Sequence, residues 1–189
     1  MKDIKISQLH TLEVYNSKEY INNNKEVNDS ILNVLESYEV NETGRNINKA
    51  REYIEDLNFK IFSSDANVQI YVMKREEQPV SFVIYEKRKD TPAWMVEMIY
   101  THDDYIKLGL ATSLLRHSAK HLKTTCDAQK ILSAVSVNNI AGVHLFDSFA
   151  KVEGVDGKIS EKESKLRFIF NISEMQANKT NKEEDELLF

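Results

Sequence analysis

The segment from Met95 to Thr112 constrains the fold more than any other part of this sequence. It begins as an apolar run with β-branched and aromatic residues, has a polar break at 102–104, and reaches Gly109 as a helical pattern starts. A helix that follows such a loop leaves the N–H groups of its first turn without partners inside the helix, and glycine lets a ligand approach the main chain closely. The segment therefore predicts a strand, a tight loop and a helix whose start attracts phosphate.

Hydrophobic spacing predicts the elements on either side of this segment. Apolar residues recur at three- and four-residue steps within 17–57, which indicates helices, and the asparagines at 22–24 interrupt the pattern. Alternating residues in 68–73 and 80–85 predict an antiparallel hairpin, which the strand at Met95 extends to a meander. A buried strand at 131–137, a helix opened by Asn139 and a last strand at 166–172 complete the order.

The length and composition of the chain indicate one folded domain. It has 189 residues, of which 41% are hydrophobic and 29% charged. We expect a single domain over residues 1–173, with a helical N-terminal part at 17–57, and a polar, flexible tail at 174–189. The first nine residues lack the hydrophobic core of a signal peptide, and no apolar run is long enough to span a bilayer. A cytoplasmic protein without a membrane partner is therefore expected.

The ionisable residues narrow the classes of ligand and partner. The single cysteine, Cys126, excludes an intramolecular disulfide and a zinc site built on several thiolates. The net charge of −5 and the lack of basic blocks argue against nucleic acid as a partner. His117 and His121 have a spacing that can bind a metal on one helix, but no third ligand accompanies them. We therefore expect a solvated helix face there, and no metal.

This sequence contains the segments Ile106–Ala111 (IKLGLA) and Asn139–Lys151 (NIAGVHLFDSFAK), with a meander before them and a strand after them. Together they resemble two motifs of the GCN5-related N-acetyltransferase (GNAT) family. The family's loop has the form Arg/Gln-x-x-Gly-x-Gly/Ala, which Ile106–Ala111 (IKLGLA) matches at its two small residues. The family's second motif is an asparagine that opens a helix, a small residue three positions later, then Leu-Tyr and Leu-Gly-Phe; here it is the segment Asn139–Lys151 (NIAGVHLFDSFAK). The sequence departs from the family at Ile106, at Phe146 in place of tyrosine, and at the Ala150-Lys151 ending.

The resemblance covers Val68 to Ile172 in element order and implies a fold and a function. The implied fold is of the α/β (α+β) class, with a central mixed, mostly antiparallel sheet of about six or seven strands, flanked by helices and splayed at the acyl-CoA site. The implied function is an N-acetyltransferase that moves an acetyl group from acetyl-CoA, its cosubstrate, to a primary amine of a small molecule or protein by direct attack. Acyl-CoA and an amine acceptor are the expected partners, and a homodimer is left open.

The resemblance also implies which residues contact acyl-CoA. The pyrophosphate would lie on the N–H groups of residues 107–112, and the pantetheine arm would pair with the backbone of 99–101. Two side chains have a simpler alternative, since Lys107 could face solvent and Asn139 could serve only as an N-cap. The implied contacts are Ile99, Tyr100, Thr101, Lys107, Leu108, Gly109, Leu110, Ala111, Thr112, Asn139 and Phe146.

Transfer to an amine requires a base, and Glu97 is the first candidate. It lies at even spacing from Ile99 and Thr101, so the three side chains should share one face of a strand, where a carboxylate needs a partner or a function. The alternative is that Glu97 is an exposed strand residue. His102 is the second candidate, because its intrinsic pKa suits proton transfer near neutrality. Phe146 has no proton to donate, so water, Tyr100 or unassisted departure of the thiolate would replace the family's tyrosine.

Two hypotheses compete with the enzyme. The departures at Ile106, Phe146 and Ala150-Lys151 would also suit a catalytically degenerate protein of the same fold that binds acyl-CoA or a protein partner. Alternatively, the helical N-terminus and the acidic tail would form an interaction surface on this scaffold. The acceptor is set in this fold by the N-terminal helices and the loop before the last strand, here 17–57 and 152–164, and neither has a pattern that identifies a ligand.

Overall fold

The computed structural model describes residues 2–5, 9–37, 47–62, 67–153, 155, 157–162 and 164–175. Its helices are α1 (Ser17–Glu36), α2 (Ile47–Phe62), α3 (Leu110–Cys126) and α4 (Ile140–Glu153). Its strands are β1 (Lys2–Lys5), β2 (His10–Asn16), β3 (Val68–Arg75), β4 (Gln78–Lys87), β5 (Ala93–Thr101), β6 (Lys130–Ser136), β7 (Gly157–Lys162) and β8 (Lys165–Asn171). The predicted tail lies outside the described residues from position 176 onward.

All eight strands belong to one sheet, in the order β1-β2-β3-β4-β5-β6-β8-β7. The β5–β6 pair is parallel and every other pair is antiparallel. The mixed, mostly antiparallel sheet flanked by helices confirms the predicted fold class. It has one strand more than the upper end of the predicted number, because the first residues add β1 at an edge.

The β3–β4 hairpin has a tight two-residue loop followed by a bulge. Its loop has two residues, Glu76 and Glu77, and both have positive φ, at 49° and 69°. A two-residue hairpin loop needs this left-handed geometry, because it matches the twist of the flanking strands. Beyond the loop a bulge shifts the register by one residue, because Lys74 pairs with Pro79 but Met73 pairs with Ser81. As a result Ile70 lies opposite Ile84 and Val72 opposite Phe82.

The two faces of the sheet carry separate hydrophobic clusters. One lies between the sheet and helices α3 and α4, and includes Trp94, Leu114, Phe149, Phe168 and Phe170. The other lies between the sheet and helices α1 and α2, and includes Ile31, Leu57, Ile70, Ile84 and Met98. A residue's cluster therefore shows which face of the sheet its side chain occupies. Core packing extends to Met175, which is buried in the first cluster.

Helix α1 is interrupted where the run of asparagines predicted it. Asn16 caps the helix by accepting a hydrogen bond from the Glu19 N–H, and the Glu19 carboxylate accepts one from the Asn16 N–H. Asn23 has non-helical angles (φ −126°, ψ 23°), and its side-chain amide donates to the Glu19 carbonyl at 2.8 Å. Asparagine side chains that bond to nearby backbone compete with the helix, which accounts for this kink. In the described residues, no helix has the length and apolarity needed to cross a membrane.

We predict that Phe149→Ala destabilises the protein by about 3–5 kcal/mol, because it leaves a cavity among packed aromatic rings. Phe149 is 1% exposed and lies edge-to-face on Phe170, with the ring centroids 5.1 Å apart. Phe59 is the matched control, since its side chain is 78% exposed and its removal should change the free energy of unfolding by less than about 0.5 kcal/mol. Urea unfolding of both variants measures the difference, and equal losses would show that the α3–α4 cluster is not the stabilising core.

Candidate functional site

The candidate site lies where β5 and β6 separate. Their parallel ladder covers only Ala93, Met95 and the residue between them, opposite residues 130–132 of β6, and the described strands are not paired beyond it. On its other edge β5 continues to pair with β4 up to Thr101. The two parallel strands therefore diverge toward their C-terminal ends, which gives the splayed sheet that the resemblance implies.

A β-bulge sits next to this point of divergence. Ile84 pairs with Met98 and Tyr85 pairs with Val96, so Glu97 is the extra residue of β5. Val96 belongs to the α3–α4 cluster and Met98 to the α1–α2 cluster, although they are two residues apart. A bulge reverses the alternation of side chains in this way and bends its strand.

The bulge overturns the prediction that Glu97 shares a face with Ile99 and Thr101. Ile99 packs against the α3–α4 cluster. The Glu97 carboxylate instead lies close enough to Tyr53, a residue of α2, to raise the pKa of its phenol together with burial, the larger cause. The prediction was wrong because simple alternation was extended through a residue that breaks it. Glu97 is thus on the α2 side of the sheet.

Glu97 has a charged partner that the sequence did not identify. The Nη2 atom of Arg88, in the turn after β4, lies 3.2 Å from Glu97 Oε1, and the two side chains are 42% and 21% exposed. Glu86 and Arg88 also act on the Tyr53 phenol, where Glu86 raises its pKa and Arg88 lowers it. Tyr53, Glu86, Arg88 and Glu97 thus form one half-buried polar group beside the splay. We call these four residues the Glu97 cluster.

The structure does not bring His102 together with Glu97. His102 follows the end of β5, where its Nδ1 accepts a hydrogen bond from the Asp104 N–H at 3.2 Å and its ring lies edge-on to Tyr105. With a rise of about 3.3 Å per residue, five residues of extended chain separate the two candidates by roughly 16 Å. They are therefore alternatives rather than a pair. Both roles stay predictions.

The loop between β5 and α3 presents its backbone to solvent. A short 3-10 turn at Asp103–Tyr105 is followed by two residues with positive φ, Lys107 at 66° and Gly109 at 74°, and Gly109 is the N-cap of α3. Residues 106–109 are exposed, and Leu110 is buried as the first residue of the helix. Gly109 has no side chain to cap the helix, so the first N–H groups of α3 remain available to an anion.

The residues before that loop divide between the two faces of β5. The Thr101 hydroxyl is buried and lies 2.9 Å from Ser81 Oγ, and Ser81 also donates to the Tyr100 carbonyl at 2.7 Å. The ring of Tyr100 stacks on Phe82, on the α1–α2 side. The pantetheine contacts of residues 99–101 stay predictions.

Asn139 is the N-cap of α4, which was the simpler of the two roles predicted for it. Its Oδ1 accepts a hydrogen bond from the Gly142 N–H at 3.0 Å. A Cβ atom on Gly142 would come within 2.9 Å of both Asn139 Nδ2 and Val135 Cγ1, so any other residue here would require these side chains to shift. The motif's asparagine and its small residue three positions later thus have a structural reason that holds without a ligand.

Phe146 lies in the hydrophobic core. It is 3% exposed, and its ring packs on Phe168 and Phe170 with centroid distances of 5.5 and 6.0 Å. The aromatic stack accounts for a phenylalanine here without any role in catalysis. Its contact with acyl-CoA stays a prediction.

The two histidines of α3 form no solvated face, so that expectation was wrong. His117 Nδ1 donates to the Ser113 carbonyl at 2.8 Å, and burial lowers the pKa of this histidine. His121 Nδ1 lies 3.0 Å from the Tyr71 hydroxyl. Both rings are half-buried because α3 packs closely on the sheet. Among the residues described, no group of three or more His, Cys, Asp or Glu side chains could hold a metal ion.

A polar cavity of about 550 Å³ lies elsewhere, between the kinked α1 and the tip of the β3–β4 hairpin. Its lining includes no residue of the Glu97 cluster or of the loop at 106–112, so we do not assign the acyl transfer site to it. The lining residues are Asn22, Asn23, Asn24, Lys25, Glu26, Asp29, Ser30, Asn33, Lys74, Glu77 and Pro79.

Comparison with known families gives this site a context. The chain belongs to the acetyltransferase (GNAT) family, whose model matches residues 32–150, more than half of its length. The matched region contains the Glu97 cluster, the loop before α3 and most of α4. No curated protein sequence matches the chain.

Solved structures of low sequence identity share the fold. The RimL ribosomal L7/L12 α-N-protein acetyltransferase, in complex with coenzyme A, has a TM-score of 0.62 at 8% identity, over 91% of this chain and 99% of that one. The PaiA N-acetyltransferase from Thermoplasma acidophilum, also with coenzyme A, has a TM-score of 0.59 at 15% identity, over 85% and 98%. A spermidine N-acetyltransferase chimera of Vibrio cholerae SpeG and hSSAT has a TM-score of 0.55 at 14% identity, over 87% and 95%.

We predict that Asn139→Ala lowers the free energy of unfolding by about 1 kcal/mol, because it removes the side-chain cap of α4. Asn139→Asp is the control, since aspartate keeps the accepting oxygen and suits the positive end of the helix dipole. Urea unfolding measures the two values. Equal stability of the alanine variant and the wild type would contradict the capping role. An aspartate variant of normal stability with weaker acetyl-CoA binding would reveal an additional contact with the ligand.

Proposed function

We propose that this protein is an N-acetyltransferase that transfers an acetyl group from acetyl-CoA to a primary amine of a small molecule or protein by direct attack. The observation that carries the proposal is the position of Glu97. This carboxylate lies on the α2 side of the sheet, at the bulge and two residues beyond the last paired position of β5 and β6. Family membership supports acyl transfer in general, and the neighbours solved with coenzyme A support an acyl-CoA cosubstrate.

The main chain where β5 and β6 separate suits the pantetheine arm of acyl-CoA, and the main chain of the loop before α3 suits its pyrophosphate. Where the described β5 and β6 strands are not paired, an extended pantetheine arm has room to lie between them as a strand would. The exposed start of α3 offers main-chain donors to the pyrophosphate without needing a particular side chain. For this reason Ile106 in place of the family's Arg or Gln does not argue against binding. Lys107 is exposed in the same loop and adds a positive charge.

In the proposed reaction Glu97 takes the proton from the attacking amine. The amine nitrogen forms a bond to the acetyl carbon, and the bond between that carbon and the CoA sulfur breaks as the thiolate leaves. Glu97 accepts the ammonium proton, directly or through one water molecule. Phe146 donates nothing, because it lacks a proton and is enclosed by Phe168 and Phe170. Water therefore protonates the thiolate, or the thiolate leaves as such.

Burial of Phe146 also favours a second candidate function, a protein of this fold that binds acyl-CoA without turnover. The family's tyrosine is absent at a position where the chain has built a core contact instead. The two functions differ in one measurement, since both predict acetyl-CoA binding and only the first predicts release of CoA in the presence of an amine.

A single domain over 1–173 and a cytoplasmic location stay predictions.

We predict that Gly109→Val weakens acetyl-CoA binding at least tenfold. Gly109 has φ 74°, which a β-branched residue strongly disfavours, and its replacement would move the N–H groups of the helix start. Gly109→Asn is the matched control, because asparagine tolerates the left-handed conformation and should retain more of the affinity. Isothermal titration with acetyl-CoA measures both. Unchanged affinity in the valine variant would place the pyrophosphate elsewhere.

We predict that Glu97→Gln lowers kcat/KM by about 10²–10⁴, the usual contribution of a general base, and leaves acetyl-CoA affinity unchanged. The low-pH limb of the kcat/KM profile should also disappear in this variant, since the group that must be deprotonated is gone. Glu55→Gln, an exposed change on α2, is the control. The assay follows CoA release with a thiol reagent over a panel of amines. Full activity in the Glu97→Gln variant would contradict the role of Glu97 and leave His102 as the candidate base.

A further inference from the structure

We propose that Arg88 makes this site selective for acceptors with a carboxylate beside the reacting amine, and that the acceptor is a free α-amino acid. This inference rests on the transferase function proposed above. The acceptor's ammonium would bind Glu97 and its carboxylate would bind the Arg88 guanidinium. The four charges would then alternate in sign around a closed ring.

The guanidinium has hydrogen-bonding capacity left for such a ligand. Its Nη2 atom contacts one oxygen of Glu97, at 3.2 Å, and no other carboxylate of the described residues pairs with it. Arginine carries five N–H donors in a planar fork that matches a carboxylate. The side chain is 42% exposed, so a ligand can reach the remaining donors.

The backbone of the turn holds Arg88 in place. Its N–H donates to the Ala93 carbonyl at 2.9 Å, and its own carbonyl accepts from Thr91. Tyr53 of α2 and Glu86 belong to the same cluster, because Glu86 raises and Arg88 lowers the pKa of the Tyr53 phenol. The ion pair with Glu97 restrains the side chain on this fixed backbone, so it recognises a ligand with less loss of rotamer entropy than a mobile side chain would.

Charge also separates the possible classes of acceptor. A polyamine that placed one ammonium at Glu97 would bring a second cation near Arg88, which is unfavourable. A neutral amine would satisfy Glu97 but leave the guanidinium without its second partner. Glu86 adds negative charge that favours an ammonium and does not favour a lone anion. A zwitterion with adjacent charges fits both signs at once.

The side of the sheet next to Glu97 is open to such a molecule. Beyond β5, on the face opposite α3 and α4, Ala134 of β6 and Arg167 of β8 are exposed and directly paired across the two strands. The described helices therefore leave an approach to Glu97 from this face. Arg167 adds a second positive charge, besides that of Arg88, on this face of the sheet.

The test compares each amino acid with its own carboxamide, which keeps the amine and removes the negative charge. CoA release from acetyl-CoA is measured for the twenty amino acids, their amides, putrescine and spermidine. We expect kcat/KM for the preferred amino acid to exceed that of its amide at least tenfold. Arg88→Gln also removes the charged partner of Glu97, which affects acid and amide alike. Beyond that shared effect, it should raise KM for the amino acid about tenfold more than KM for the amide, so that the preference for the acid is lost. This comparison requires no knowledge of the side chain in advance.

Two variants separate recognition from structure. Lys89→Gln, an exposed change in the same turn, should keep the preference for the acid over the amide. Arg88→Lys should restore part of it, because the positive charge is retained. If Arg88→Gln lowers activity with acid and amide alike, or if its folding is impaired and wild-type protein shows no preference for the acid, the proposal is wrong.

The outcomes also distinguish the proposed selectivity for amino acids from the proposed transferase function on which it rests. CoA release with amides, polyamines or peptides, without preference for amino acids, would refute the role of Arg88 and leave the transferase function standing. No CoA release with any acceptor, despite measured acetyl-CoA binding, would refute both.

Discussion

One extra residue in β5 determines most of what is particular about this molecule. Trp94 and Val96 face α3 and α4, so Glu97 follows them on the opposite face, where it meets Arg88 and Tyr53. The bulge then returns Ile99 to the α3–α4 face, and without it Ile99 would share the face of Glu97. The same irregularity lies beside the point where β5 leaves β6. Bulges bend strands, so the bulge gives a local reason for the separation of β5 from β6 beside this charge.

The parallel pairing of β5 and β6 explains why the two motifs lie at one place in space. The carboxyl ends of parallel strands point to the same edge of a sheet, and each of these strands leads into a helix there. The positive ends of α3 and α4 therefore both follow strand ends at that edge. Glycine is favoured near each start for a different reason. At Gly109 the backbone is left-handed, and at Gly142 a side chain would displace those of Asn139 and Val135.

Much of the fold was predictable from the sequence, because it depends on periodicity and on local signals. The β3–β4 hairpin, the kink at the asparagines of α1 and the cap at Asn139 all follow from residues close together in the chain. The errors and gaps arise where a contact is not local. The alternation counted back from Ile99 and Thr101 gave the wrong face for Glu97, since the sequence did not show that a bulge interrupts this strand. The sequence indicated that a carboxylate in this strand needs a partner, but not that Arg88 would supply it from nine positions away. The packing of Phe146 depends on Phe168 and Phe170 of β8, which follow it by more than twenty positions.

The order of the strands leaves β1 and β7 at the two edges of the described sheet, and this has a consequence for behaviour at high concentration. An exposed edge offers unpaired backbone to another chain and promotes aggregation, unless charge opposes it. The sequences of these two strands are KDIK and GKISEK, in which ionisable residues make up half or more of the positions. Lysine in particular disfavours edge-to-edge pairing. The sheet thus ends at both sides in segments poorly suited to recruit a further strand, which favours a discrete molecule over an open-ended assembly.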